Sequence, residues 1–304
     1  KPSTMLFNRY ERLVFLGDSN ADTGNVYAMT EHTLPSPPHV YMGGRYSNGK
    51  MWTEHLSDFA AASESINLAY GWATIDNSIV AGTILMPDGS TRKEVPSLTD
   101  QIALLTSGKL QANDMVFVFA GSNDLNSLVD TGPAYIRKQS FTPESLASSL
   151  RRAVQDLCLA HGARNVLVMN VRSREDYPHI VALADPEKIR RVRVDTIALN
   201  AAIAREMAEL QASLGREYNV GVFDTYAFQK RVIQNPVAAG IDPDVQTPCY
   251  SRDPSTPVAP DEQHEELVNP DTKLFVDGAH LAKRAQALLA AEIVKHIALA
   301  LATE

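Results

Sequence analysis

Short apolar runs alternate along the chain with longer segments in which apolar residues recur every three or four positions. Leu13-Val14-Phe15-Leu16 is the first run and ends at Gly17. Ile66-Asn67-Leu68-Ala69, Met115 to Ala120, Asn165 to Met169 and Val220 to Phe223 follow in order. Runs this short, apolar at successive positions, predict parallel strands covered on both faces. Between them, Pro143 to Ala160 carries Leu146, Leu150, Val154 and Leu157 at helical spacing, with Gly162 just beyond. Pro186 to Leu214 predicts a longer helix with Ile197, Ala201, Ala204, Met207 and Leu210 on one side. Leu281 to Leu301, interrupted by Lys283, Arg284, Glu292 and Lys295, reads as an amphipathic helix and not as a membrane span. The alternation predicts an α/β fold: a three-layer α/β/α sandwich around a five-stranded parallel sheet, flavodoxin-like in plan. Ligands of such sheets sit beyond the carboxyl ends of the strands.

Two segments interrupt the pattern. Pro35 to Tyr46 is rich in proline, glycine and aromatic residues, and Ile241 to Lys273 holds six prolines and no clear period. With no repeat and no linker, residues 1–304 read as one domain with a loop insertion at about 241–273. Composition is that of a globular chain, 44% hydrophobic and 21% charged. The net charge of −8 argues against nucleic acid as a partner, because such binding rests on neutralising phosphates. Two cysteines, Cys158 and Cys249, do not make a disulfide scaffold. The first residue is Lys1, which fits a processed or trimmed chain.

Candidate chemistry lies at the strand ends. The first strand runs into Gly17-Asp18-Ser19-Asn20, which places a serine at the sheet edge as a nucleophile or as a helix cap. No Gly-x-Ser-x-Gly elbow surrounds Ser19, so the standard α/β-hydrolase pattern is not indicated. The third strand ends in Gly121-Ser122-Asn123-Asp124, where the Asn123 amide is either an oxyanion donor or a turn residue. Asp277 and His280 are three positions apart, a spacing that lets a carboxylate orient an imidazole. The remaining histidines show no metal-ligand spacing, and neither metal nor cofactor is implied.

Taken together, these residues resemble the GDSL, or SGNH, hydrolases. Their four ordered blocks correspond here to Gly17-Asp18-Ser19 with Asp22, Gly24 and Asn25; Asn67-Leu68-Ala69-Tyr70-Gly71; Gly121-Ser122-Asn123-Asp124; and Asp277-Gly278-Ala279-His280. Leu34-Pro35-Ser36-Pro37-Pro38 and Gly43-Gly44-Arg45-Tyr46-Ser47-Asn48-Gly49, with Trp52, are similar to the bacterial lysophospholipase and glycerophospholipid:cholesterol acyltransferase branch. The resemblance implies Ser19 as nucleophile, His280 as general base and Asp277 as its orienter. It implies an oxyanion hole made by the Ser19 amide, an amide of Gly71 or Trp72, and the Asn123 side chain. Asp18, Asp22 and Asn25 would brace the nucleophile turn. Arg45, Tyr46 and Trp52 are candidates for substrate contact, with an ion pair or core packing as the alternative reading of each.

Four departures from the family pattern carry expectations, of which Leu281, in place of the proline often found after the histidine, is expected to have little effect. Asn20 replaces the usual leucine and is expected to matter little. Trp72 stands where a second glycine is usual. Pro270 falls where relatives of the branch place a cysteine that pairs with the one at Cys249, so the long loop is expected to be held differently, as suits a reducing destination. The implied substrate is a phospholipid or lysophospholipid, with a sterol as a further acyl acceptor, peripheral contact with a membrane, and a protein activator left open. The implied location is outside the cell or inside a host cell. The same site would serve a short-chain carboxylesterase or a carbohydrate acetylesterase, and the reading from outside enzymology is a crevice that holds a lipid or protein without turnover.

Overall fold

The structure is a computed structural model that describes residues 9–60, 62–107, 110–130, 132–255 and 266–302. Five strands pair in parallel: β1 (Arg12–Gly17), β2 (Glu64–Asn67), β5 (Asp114–Phe119), β7 (Asn165–Met169) and β8 (Asn219–Phe223). Their spatial order is β2-β1-β5-β7-β8. The chain reverses direction across the sheet at the crevice between β1 and β5, the place where folds of this plan hold ligands.

Successive residues of the strands feed opposite cores, which is why the runs are apolar without alternation. Leu13, Phe15, Met115, Phe117, Phe119, Leu167 and Met169 face one side. There they meet helices α2 (Trp52–Ala60), α8 (Thr225–Gln234) and α9 (Lys283–Ala302). Val14, Leu16, Val116, Val118, Val166 and Val168 face the other, against α3 (Leu98–Ala103), α5 (Pro143–Leu159) and α7 (Pro186–Ser213). Three short helices, α1 (Asn25–Met29), α4 (Ser122–Asn126) and α6 (Pro178–Val181), stand near the carboxyl ends of the strands.

The five-stranded parallel sheet agrees with the sequence pattern, with three corrections of detail. Edge strand β2 begins two residues before the apolar run, at Glu64, because an edge tolerates exposed polar residues. Helix α7 buries Val192, Thr196, Leu199, Ile203, Met207 and Leu210, while Ile197 is exposed. Ala201 and Ala204 are exposed with it. The buried stripe therefore keeps Met207 and Leu210 of the predicted face but not Ile197, Ala201 or Ala204, because alanine in an exposed position serves helix propensity and reports no burial. The third correction is a small antiparallel sheet with the order β4-β3-β6, formed by β3 (Val80–Leu85), β4 (Arg92–Glu94) and β6 (Tyr135–Arg137). Its strands β4 and β6 are three residues long, below the length at which a period can be read.

The 241–273 loop, of which residues 256–265 lie outside the description, is pinned at both ends. The ammonium of Lys273, itself buried, lies 3.4 Å from Asp242 and 3.2 Å from Asp244. The Asn48 amide donates to the Pro270 carbonyl at 2.8 Å and lies 3.9 Å from Cys249 Sγ. An amide thus joins Pro270 to Cys249, the two positions the resemblance paired. Cys158 and Cys249 are buried free thiols. Among the described residues no helix is long and apolar enough to cross a membrane.

Candidate active site

Strand β1 delivers Ser19 through a turn that only glycine can begin. Gly17 has a φ of +136°, and a Cβ there would lie 2.0 Å from the Phe119 carbonyl oxygen. The side-chain amide of Gln101 holds the Gly17 peptide from both sides, accepting from its N–H at 2.7 Å and donating to its carbonyl at 2.8 Å. Asp18 turns inward, where one carboxylate oxygen accepts from the Asn20 backbone and side-chain amides at 2.8 and 2.7 Å. The Ser19 hydroxyl is left on the wall of a crevice of about 470 Å³ that Asn123 and His280 also line.

The hydroxyl lies 2.9 Å from His280 Nε2. The other ring nitrogen, Nδ1, lies 2.7 and 3.0 Å from the two oxygens of Asp277. Asp277 is buried, and it also accepts the Ala279 and His280 backbone N–H groups, each at 2.8 Å, and the Tyr41 hydroxyl at 2.9 Å. Burial pushes the Asp277 carboxyl up, but the His280 charge and the hydrogen bonds outweigh it and hold the group below its ordinary range. Burial and the neighbouring Asp277 charge raise Tyr41 well above a normal phenol, so it remains a donor. A serine, an imidazole and an ionised carboxylate in one hydrogen-bonded line can move a proton off the hydroxyl as it attacks a carbonyl carbon.

Asp22 ties the turn that carries Ser19 to the second block. Its oxygens accept from the amides of Gly24 (2.8 Å), Asn25 (2.7 Å) and Val26 (3.2 Å), and from Gly71 at 2.8 Å. Burial raises its carboxyl to about 6, even though these amides pull the other way. Asn25 adds bonds to the Asn67 and Ala69 carbonyls at 3.0 and 2.8 Å. The Gly71 amide is therefore committed to Asp22. The amides of Ser19 and Trp72 make no hydrogen bond among the described residues. Trp72 has a φ of 63°, a left-handed conformation natural to the glycine it replaces, and its side chain lines the crevice.

Asn123 enters from α4. Its Oδ1 accepts the Tyr135 hydroxyl at 2.7 Å and the Asn126 amide at 3.3 Å, while Nδ2 donates to the Ala73 carbonyl at 2.9 Å. These three bonds fix which way the amide points and leave one N–H uncommitted. Tyr46 lines the crevice, its ring 5.0 Å from that of His280 and 5.7 Å from that of Trp72. Two candidates lie elsewhere. Arg45 is outside the crevice lining and pairs with Glu54 at 2.8 and 2.7 Å. Trp52 is fully buried beneath the turn that carries Ser19, donating to the Asn20 carbonyl at 2.6 Å and packing edge-on against Phe15 and Phe117. Sequence reasoning did not single out Tyr41, Gln101, Tyr135 or Arg172. Each reaches the site across a long stretch of chain, and no local pattern marks it.

Asp124, next to Asn123, is buried and accepts the Ile75 N–H at 3.2 and 3.3 Å, and burial pushes its carboxyl up to about 7. An unfolded aspartate ionises near 3.9. Between those two values the native state holds a proton that the unfolded state has lost, so stability falls as pH rises through this window. Asp124→Asn removes that slope. Relative to the parent protein, the variant is expected to gain urea-denaturation stability from pH 5 to pH 8; a constant difference across that range would contradict the raised ionisation.

A parallel sheet of this order carries a serine, an asparagine and an Asp-x-x-His pair at its carboxyl edge. The chain belongs to the GDSL-like lipase/acylhydrolase family, whose model matches residues 13–293. It is 26% identical over 282 residues to the secreted effector protein SseJ of Salmonella typhimurium, a match covering 89% of this chain and 62% of that one. It is 25% identical over 251 residues to the thermolabile hemolysin of Vibrio parahaemolyticus, covering 83% of this chain and 54% of the other. It is also 25% identical over 246 residues to the phosphatidylcholine-sterol acyltransferase of Aeromonas hydrophila, covering 79% and 66%. The chain thus spans less than two thirds of the length of each of these relatives.

Proposed function

We propose that this chain is a serine acyl-ester hydrolase and acyltransferase acting on phospholipids or lysophospholipids. The observation that carries the reading is the Ser19–His280–Asp277 line on the crevice wall. Ser19 Oγ attacks the ester carbonyl while His280 Nε2 takes its proton. Asp277 holds the imidazole and stabilises the imidazolium that forms. The new oxyanion is met by the amides of Ser19 and Trp72 and by the free N–H of Asn123. His280 then protonates the departing alcohol, leaving an acyl-serine. Water accepts the acyl group in hydrolysis; a sterol or another alcohol accepts it in transfer.

The lipid reading draws on the crevice itself. Trp72, Val129, Ile180 and Leu183 give it apolar wall, and about 470 Å³ is in the range of pockets that hold organic ligands. Leu183 and the nearby Val181 are exposed, which supports peripheral contact with a lipid surface. The names of the relatives, a phosphatidylcholine-sterol acyltransferase and a hemolysin, support the same substrate class, and the effector supports delivery outside the producing cell.

The test is lipid product analysis with phosphatidylcholine, lysophosphatidylcholine and cholesterol in mixed vesicles, with Ser19→Ala as control. Free fatty acid and cholesteryl ester are expected from the parent protein and neither from the control. Turnover confined to short p-nitrophenyl esters would overturn the lipid reading in favour of a carboxylesterase. On whichever ester is turned over, Asn123→Ala is expected to lower kcat by roughly 10²–10³ with little change in KM, because the lost donor meets charge that exists only in the transition state. A change confined to KM would make Asn123 a substrate-binding residue instead.

A further inference from the structure

Arg172 is 1% exposed, and no aspartate or glutamate among the described residues lies within ion-pair distance of it. Its donors go to three neutral acceptors on three different segments. Nε donates to Asn20 Oδ1 at 3.1 Å, in the nucleophile turn. One terminal nitrogen donates to Gln229 Oε1 at 2.9 Å, on α8. The other donates to the Ala279 carbonyl at 2.7 Å, in the loop that ends at His280. The guanidinium also lies 4.7 Å above the ring of Tyr177. The nearest compensation comes from the buried Asp18 carboxylate, which feels the Arg172 charge without touching it, and the planar fork of the three donated bonds is what a simple ammonium lacks.

Position 20 gives this arrangement its sense. The family's leucine could not accept from Arg172, whereas Asn20 accepts with Oδ1 and donates with Nδ2 to Asp18 at 2.7 Å. The departure that looked inconsequential in the sequence is matched to an arginine far along the chain. Ser19 lies between Asp18 and Asn20, and Ala279 immediately precedes His280. One rigid group therefore spans the nucleophile turn and the base loop.

We infer that Asn20 and Arg172 form a strut that sets the distance between the Ser19 hydroxyl and the His280 ring, which makes both of them positioning residues for acyl transfer. The inference rests on the reading of Ser19 and His280 given above. Misplacing reacting groups by about 1 Å can cost on the order of 10²-fold in rate while substrate still binds. The strut therefore acts on kcat and leaves KM alone.

The experiment compares Asn20→Leu, Arg172→Met, the two combined, and Arg172→Lys. It measures kcat, KM, the rate of fluorophosphonate labelling of Ser19, and the melting temperature. Each single change is expected to lower kcat and labelling rate roughly 10–100-fold, the worth of a hydrogen bond to a charged group, with KM within about two-fold. The double variant is expected to be no worse than the poorer single, because both remove the same bridge. Arg172→Lys should fail to restore the rate, since one ammonium cannot meet three acceptors at fixed angles; it also serves if Arg172→Met does not fold. Additive losses, or a lower melting temperature with kcat intact, would overturn the strut. A parent protein that fluorophosphonate leaves unlabelled would instead overturn the nucleophile reading beneath it.

Discussion

Ser19→Ala is expected to reduce ester turnover to background, a loss on the order of 10⁶-fold if the serine behaves as nucleophiles of comparable relays do. The size follows from the chemistry. Without the hydroxyl there is no acyl-enzyme, and only the oxyanion donors and binding remain to assist water. The fold should not notice. The side chain is only partly buried, and its one hydrogen-bond partner among the described residues is His280 Nε2 at 2.9 Å. Losing one oxygen from a crevice wall falls within the roughly ±0.5 kcal/mol of ordinary surface changes, so the melting curve should superimpose on that of the parent. Fluorophosphonate should add its mass to the parent protein at Ser19 and not to the variant. Turnover within ten-fold of the parent, with the variant correctly folded, would remove Ser19 from the mechanism.

The parts of this site that can be read from sequence are those encoded locally. The turn at Gly17 announces itself because a strand ends in a glycine followed by small polar residues, and the structure gives the reason in the contact with Phe119. Asp277 and His280 are legible as a pair because their spacing puts one beside the other within a single loop. Strands are legible because both faces of the sheet are covered, so every position in β1, β5 and β7 except Arg12 is buried. What escapes is set by distance along the chain. Whether Gly71 or Trp72 offers its amide depends on Asp22, 49 residues earlier, which occupies Gly71. Tyr41 reaches Asp277 across 236 positions, from a proline- and glycine-rich segment whose irregularity is visible but whose purpose is not. Arg45 and Trp52 look like substrate contacts because they sit in a motif-bearing stretch. The structure spends them on an ion pair with Glu54 and on the floor beneath Asn20.

Asp277→Asn is expected to lower kcat by about 10⁴-fold, a large loss though some hundred-fold smaller than that of removing the serine, although it changes one atom. Oδ1 of Asp277 accepts two backbone N–H groups at 2.8 Å each, a demand that only an oxygen can meet. The asparagine must therefore place its NH₂ where Oδ2 was, facing His280 Nδ1 at 2.7 Å and the Tyr41 hydroxyl at 2.9 Å. An NH₂ there donates to Nδ1 and drives the ring proton to Nε2, the nitrogen that has to accept from Ser19. In serine hydrolases with the same relay, this inversion lowers kcat by about 10⁴. The imidazolium also loses the buried negative charge beside it, so the residual rate should climb with pH as hydroxide replaces the missing base. Stability has its own signature. The native Asp277 carboxyl lies below its ordinary range, so its contribution is fully present above about pH 4 and disappears as pH falls through the native value. The melting temperatures of parent and variant should therefore differ at pH 7 and converge under strong acid. A kcat reduced less than ten-fold, or a pH–rate profile unchanged in shape, would show that His280 is oriented by something other than Asp277.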